Sequence, residues 1–218
     1  MNNLRVAVID FETTGLDDDA QAVEMAIVLM NIGAGNQKLV YCQKFQPTKE
    51  IHPRASQIHG IYKEDLIDCP SFQDEWPKIE EFLSGVAISS YNLPFDLKIL
   101  RNESPNLVKL EGICGLVLAR CLNPSIKKVS WGNKLTDSCK RYQIKIKNAH
   151  SAGDDAMAAA KLLDVQFNRL CLGDLEFSYY WDFLAWQRME AIEQERSRSW
   201  ERVLKGQKIF DMPWTVGL

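Results

Sequence analysis

Histidine is scarce, with three in 218 residues, and the six cysteines at 42, 69, 114, 121, 139 and 171 include no Cys-x-x-Cys pair. A structural zinc site needs one or the other in quantity, so none is expected. Isolated cysteines within apolar segments read as buried free thiols in a reducing compartment. Long hydrophobic runs are also missing. None approaches the roughly 20 residues that span a bilayer, so no membrane partner is expected. The first residues show no charged segment followed by an apolar one, so no secretory leader is expected and the expected location is cytoplasmic. Excess positive charge is lacking too, since the formal net charge is −3. A polyanion could then be bound only through local features, either a basic patch or bound cations. There is no internal repeat and no low-complexity segment.

What is present is a 46% apolar composition, enough for a substantial core. Apolar runs at Leu4–Asp10, Ala22–Ile32 and Leu39–Phe45 predict three strands in a meander. A short helix and turn are expected within Glu50–Ile61. Trp76, Ile79, Phe82 and Leu83 predict a helix over Asp74–Leu83. A short strand at Val86–Tyr91 and a helix beginning at Pro94 follow. Three more helices are expected at Leu116–Leu122, Lys134–Tyr142 and Ser151–Leu170. Strands first, then strand–helix alternation, predict an α/β fold with a mixed sheet covered by helices. A break near Leu172–Asp174 divides the chain into residues 1–173 and a C-terminal helical extension, residues 174–218. In that extension Phe177, Tyr180, Trp181, Leu184, Arg188 and Ile192 recur at helical spacing, and the stripe is expected to pack on the rest of the chain.

Asp10-Phe11-Glu12-Thr13-Thr14-Gly15 ends the first apolar run. Side chains alternate along a strand, so Asp10 and Glu12 leave the same face. Adjacent acids repel unless a cation sits between them, and oxygen ligands select hard ions such as Mg²⁺ or Mn²⁺. The plain alternative is a solvated turn. A second group, Tyr91-Asn92-Leu93-Pro94-Phe95-Asp96, follows a predicted strand, where open α/β sheets hold ligands. Asp96 could equally be an ordinary helix-start acid and Asn92 a helix cap. A third, Asn148-Ala149-His150-Ser151-Ala152-Gly153-Asp154-Asp155, opens a helix. There His150 can swing from a loop while Asp155 is fixed, and Asp154 faces outward.

Taken together, Asp-Phe-Glu-Thr-Thr-Gly-Leu (10–16), Ile-His-Gly-Ile (58–61), Asn-x-x-Phe-Asp (92–96) and His-x-x-x-x-Asp (150–155) resemble the DEDDh, or DnaQ-like, family of 3′–5′ exonucleases, epsilon proofreading subunits included. The resemblance runs from about Arg5 to about Phe167. It implies an RNase H-like mixed sheet flanked by helices and metal-dependent hydrolysis of phosphodiester bonds at nucleic-acid 3′ ends, with release of nucleoside 5′-monophosphates. Two Mg²⁺ or Mn²⁺ ions would be held by Asp10, Glu12, Asp96 and Asp155, with Asp10 between them, and His150 would act as general base on the attacking water. Thr13, Thr14 and Gly15 are implied to meet the terminal 3′-hydroxyl. Leu16 and Phe95 would pack beside the end nucleotides, and His59 and Asn92 would contact the substrate or order the pocket. Thr13-Thr14 after Glu12 favours epsilon-type members over oligoribonuclease-like ones, and single-stranded DNA is the expected substrate.

Two departures from the family pattern are Tyr91, where many relatives carry histidine, and Gly115, where many carry aspartate. The basic run Lys127, Lys128, Lys134, Lys140, Arg141, Lys145 and Lys147 could track a nucleic-acid backbone, or could be a solvated helix face. The extension could dock a polymerase or another nucleic-acid-processing complex. The alternatives are an exoribonuclease that processes RNA ends and a non-catalytic binding module on the same fold.

Overall fold

In the computed structural model, residues 4–104, 111–123, 133–172 and 180–204 are described. Three apolar runs, the first two buried along most of their length, form an antiparallel meander: β1 (Arg5–Thr13), β2 (Ala22–Asn31) and β3 (Lys38–Lys44). β4 (Ala87–Ser90) and β5 (Gly112–Cys114) add in parallel beyond β1, giving the order β3-β2-β1-β4-β5. Parallel neighbours require a crossover. The chain makes these with α1 (Pro53–His59) and α2 (Phe72–Leu83) before β4, and α3 (Leu93–Glu103) before β5. Then come α4 (Gly115–Leu122), α5 (Leu135–Arg141), α6 (Ala152–Leu172) and α7 (Tyr180–Leu204). This is the expected mixed α/β sheet with helices on both faces.

The alternation along β1 builds two cores. Val6 and Val8 pack with Ala156, Ala160 and Leu163 of α6. Ala7, Ile9 and Phe11 face the other way, onto Phe72 and Ile79 of α2 and Leu97 and Leu100 of α3. Continuing the even positions of β1 puts Asp10 and Glu12 on the α6 side of the sheet. At that end the ladder is irregular. Glu12 pairs with Glu24, but Thr13 pairs with Ala22, so Val23 is an extra residue on β2. A bulge of this kind turns the strand end away from its regular path.

Several elements differ from the sequence expectation. β1 runs past the expected end at Asp10 to Thr13, so Glu12 lies within the strand rather than after it. α2 begins at Phe72 because Ser71 caps it, its hydroxyl accepting from the Asp74 N–H (3.2 Å) while its own N–H donates to the Asp74 carboxylate. β5 had no counterpart in the expectation. Its Gly112 admits no side chain, since a Cβ there would stand 2.3 Å from the Ile88 carbonyl oxygen.

The stripe expected on the extension is met in part: Leu184 is buried and Ile192 half-buried. The buried face of α7 is Phe183, Leu184, Gln187, Ala191 and Gln194, while Arg188 is exposed. Phe177 lies outside the described residues, as do the side chains of Tyr180 and Trp181. The reason is chemical. β5 is an edge strand, and the Gln187 amide covers it, accepting from the Cys114 N–H (2.8 Å) and donating to the Gly112 carbonyl (2.9 Å). A parallel neighbour would make the same two bonds with the residues flanking Ile113. Gln194 likewise donates to the Val117 carbonyl (3.3 Å). Buried glutamines thus stand where an apolar stripe was expected, because unpaired backbone groups are costly to bury. No helix among the described residues is long and apolar enough to cross a membrane.

Candidate active site

Three elements converge at the C-terminal end of β1. β1 carries Asp10 and Glu12, α3 brings Asp96, and the turn into α6 brings His150 and Asp155. Ligand atoms of Glu12, His150 and Asp155 all lie within 4.8 Å of one another. Asp10 feels the charges of Asp96, Asp155, Glu12 and Glu24, which places it among them.

Each side chain is held by a definite local device. β4 pairs with β1 only along Val6–Val8, so the edge of β1 beyond it is free to meet α3. The Asp96 carboxylate fills that space, accepting from the Ser90 hydroxyl and reached by the Phe11 backbone N–H. His150 adopts a left-handed backbone conformation (φ 68°), uncommon for a non-glycine residue. This turns its N–H onto Asp155 Oδ2 (2.9 Å) and leaves the imidazole exposed. Asp154 sits to the side and accepts from the Asn148 N–H (3.1 Å) and side-chain amide (2.9 Å).

The electrostatics are those of crowded acids. Burial, then the charges of Asp155, Glu24 and Asp96, raise Glu12 to about 8. Burial raises Asp96 to about 7, although the Ser90 hydroxyl and nearby backbone N–H groups favour its ionised form. Asp10 is pushed well above the carboxylate range by burial and by four acidic neighbours. Asp155 is raised as well, chiefly by burial. Its Oδ1 is sealed from solvent and has no hydrogen-bond partner. A buried carboxylate oxygen without a partner, on a residue grouped with Glu12 and His150, fits a divalent cation.

The remaining candidates line the approach. The Thr13 hydroxyl donates to the Gly15 carbonyl (2.7 Å), and Thr14 is buried and pins the turn by accepting from the Gln21 N–H (3.0 Å). Leu16 is 81% exposed. Beside it Lys98 of α3 donates to the Leu16 and Asp17 carbonyls and lies over the Phe95 ring at 5.4 Å. His59 has both ring nitrogens occupied: Nδ1 accepts from the Ile61 N–H (3.0 Å), so Nε2 carries the proton and donates to the Thr13 carbonyl (3.3 Å). It therefore braces the end of β1. Asn92 is exposed and makes no side-chain cap bond to α3, so the capping alternative is corrected. Tyr91 is buried, donating to the Asn133 carbonyl (2.6 Å) and bonded to the Ser138 hydroxyl (2.8 Å). Its ring edge would lie 3.2 Å from a Cβ at Gly115, so the two departures from the family pattern touch each other. Of the basic run, Lys134, Lys140, Lys145 and Lys147 are exposed, while Lys127 and Lys128 lie outside the described residues.

Sequence reasoning missed Glu24. It is buried, faces Glu12 across the ladder, and accepts from the Ala152 N–H (2.9 Å) at the start of α6. An acid on the inward face of so apolar a strand was the available signal.

The model of the RNase T exonuclease family matches residues 7–163. The chain belongs to the exonuclease family. DNA polymerase III subunit epsilon of Rickettsia felis is 32% identical over 176 residues, spanning 74% of this chain and 73% of that protein. The subunit of the same name from Buchnera aphidicola subsp. Baizongia pistaciae is 30% identical over 177 residues, 72% of this chain and 69% of that one. Among solved structures, exonuclease X in complex with 5′-overhanging duplex DNA matches with a TM-score of 0.58 and 26% identity, over 75% of this chain and 92% of that one. The nuclease domain of a DEDDh family member bound to rAMP shares the fold, with a TM-score of 0.59 at 15% identity, over 78% and 94%. The protein is a 3′–5′ exonuclease of the DEDDh type.

Proposed function

We propose that this exonuclease hydrolyses the terminal phosphodiester of DNA strands from the 3′ end, releasing nucleoside 5′-monophosphates, with two divalent cations, Mg²⁺ or Mn²⁺, and His150 as general base. The observation that carries this reading is the convergence of five side chains from β1, α3 and the α6 turn, with Glu12, His150 and Asp155 ligand atoms within 4.8 Å. Asp10, Glu12, Asp96 and Asp155 would hold the cations, which when bound lower the pKa of water and neutralise developing phosphate charge. The exposed His150 imidazole, whose backbone N–H is held by Asp155, would take a proton from the attacking water. The turn Thr13–Leu16 would receive the terminal sugar, with Leu16 and Phe95 flanking the end base. Stacking on such groups tolerates any base. His59 and Asn92 would order and line the entrance. The exposed lysines 134, 140, 145 and 147 would follow the strand backbone.

DNA is favoured as substrate by relatives named as polymerase III epsilon subunits and by the likeness to exonuclease X, whose complex holds DNA. The same names support a setting in replication or repair, with proofreading as one role. Residues 1–173 would form the catalytic unit, and residues 174–218 the extension that a polymerase or other nucleic-acid-processing complex could engage. The test is a product ladder from 5′-labelled DNA and RNA oligomers of matched sequence with Mg²⁺ or Mn²⁺. Stepwise shortening of DNA from the 3′ end, abolished in Asp10→Ala, is expected. Shortening of RNA alone would overturn the DNA assignment, and an intact strand under every metal would overturn the catalytic reading.

A further inference from the structure

We infer that Glu24 is a positioning residue for this exonuclease site, tying the start of α6 to β2 and thereby setting where His150 and Asp155 stand relative to Asp10 and Glu12; this rests on the catalytic reading above. A carboxylate is costly to bury unless its charge is met, and Glu24 is 8% exposed in the middle of the sheet. Lys44 is its cross-strand neighbour on β3, yet its direct partner is the helix: Oε2 accepts from the Ala152 N–H at 2.9 Å. That N–H is one of the unpaired donors of the first turn, where a 21-residue helix presents positive charge.

The placement matters because of what stands on either side. Ala152 is fully buried. A Cβ on Gly153 would lie 3.3 Å from Cys42 Sγ on β3, so the first turn already lies close against the sheet. Two residues before Ala152, His150 is in its left-handed conformation; three residues after, Asp155 returns a carboxylate oxygen to the His150 N–H. The short turn from His150 to Asp155 is thus closed on itself by Asp155 and fastened to the sheet by Glu24. Since Glu24 lies opposite Glu12 in the ladder, the fastening point is the cross-strand neighbour of the acid with which the turn must cooperate. Releasing it would let the turn shift while leaving every reacting group in the protein.

The test compares Glu24→Ala with Glu24→Gln in the full chain, after thermal melts confirm that both are folded. The measurements are kcat and KM on a 5′-labelled single-stranded DNA, Mn²⁺ affinity by electron paramagnetic resonance, and amide hydrogen exchange across residues 148–156. Glutamine keeps an oxygen acceptor for the Ala152 N–H, and alanine does not. Glu24→Ala is expected to lose about 100-fold in kcat, the cost of a displacement near 1 Å, with KM little changed, weaker Mn²⁺ binding and faster exchange at Ala152. Glu24→Gln is expected to recover most of the turnover and the exchange protection. A folded Glu24→Ala enzyme with near wild-type turnover and unchanged exchange would overturn the inference, as would a Glu24→Gln enzyme as impaired as the alanine variant. If the wild type itself left DNA intact, the catalytic reading would fail, and the exchange at Ala152 would still decide whether Glu24 fastens α6.

Discussion

Removing divalent metal and raising the pH should destabilise this protein in a specific window. Glu12 is raised to about 8 and Asp96 to about 7, both chiefly by burial, and Asp10 and Asp155 are raised with them. An acid whose pKa is higher in the folded than in the unfolded chain binds more protons when folded. The stability it contributes is complete below the unfolded value, and is lost as pH rises through the folded value. For Glu12 the window runs from the ordinary glutamate value of 4.5 to about 8. Each acid ionised makes the next harder to ionise, and Glu12 alone, held at about 8 instead of 4.5, contributes about 5 kcal/mol that is lost between roughly pH 5 and pH 8.5. For a chain of this length that corresponds to a fall in Tm of roughly 10–20 °C. The assay is a calorimetric melt in EDTA across that range, repeated with excess Mn²⁺. Metal should remove the slope, because a cation bound only by the folded state supplies the missing counter-charge. Asp10→Asn should flatten it without metal. A metal-free Tm that is constant or rises from pH 5 to 8.5 would refute the reasoning, since the four acids would then not be crowded in solution.

Three further outcomes are expected. His150→Ala should lower kcat by about 10²–10⁴-fold with little change in KM for the strand, the usual contribution of a general base; single-turnover kinetics check it. Gln187→Leu leaves the Cys114 N–H and the Gly112 carbonyl of an edge strand without their partner, and urea unfolding should show a destabilisation of about 2–4 kcal/mol, with turnover retained below the transition. Replacing Lys134, Lys140, Lys145 and Lys147 one at a time by glutamine should reduce the dependence of log K on log salt by about 0.7 for each phosphate of a single strand that is no longer neutralised. Fluorescence anisotropy with a catalytically silent variant measures it.

The difference between what the sequence disclosed and what it concealed follows from whether a residue's task is read along the chain or across it. The even positions of β1 alternate with a period of two, so Asp10 and Glu12 could be placed on one face from spacing alone, and the structure puts them there. Asp96 and Asp155 were legible because each sits one turn into a helix that follows a loop. β5 was not legible: three residues carry no period, and its decisive feature is a steric one, the absence of a side chain at Gly112 beneath the Ile88 carbonyl. Glu24, Gln187 and Gln194 share a different reason. Each is a polar residue on a buried face, which pattern reading assigns to error or to solvent. Each meets a backbone group on another element: Glu24 the Ala152 N–H at the start of α6, Gln187 the Gly112 carbonyl and Cys114 N–H on the sheet edge, and Gln194, as an additional donor, the Val117 carbonyl of α4. A polar side chain within an apolar strand or on an apolar helix face therefore points to an unpaired backbone group elsewhere in the fold. In this protein one such pairing, Glu24 with the Ala152 N–H, lies directly beside the acids proposed to carry the chemistry, and on the inference above packing and catalysis would depend on the same hydrogen bond at the start of α6.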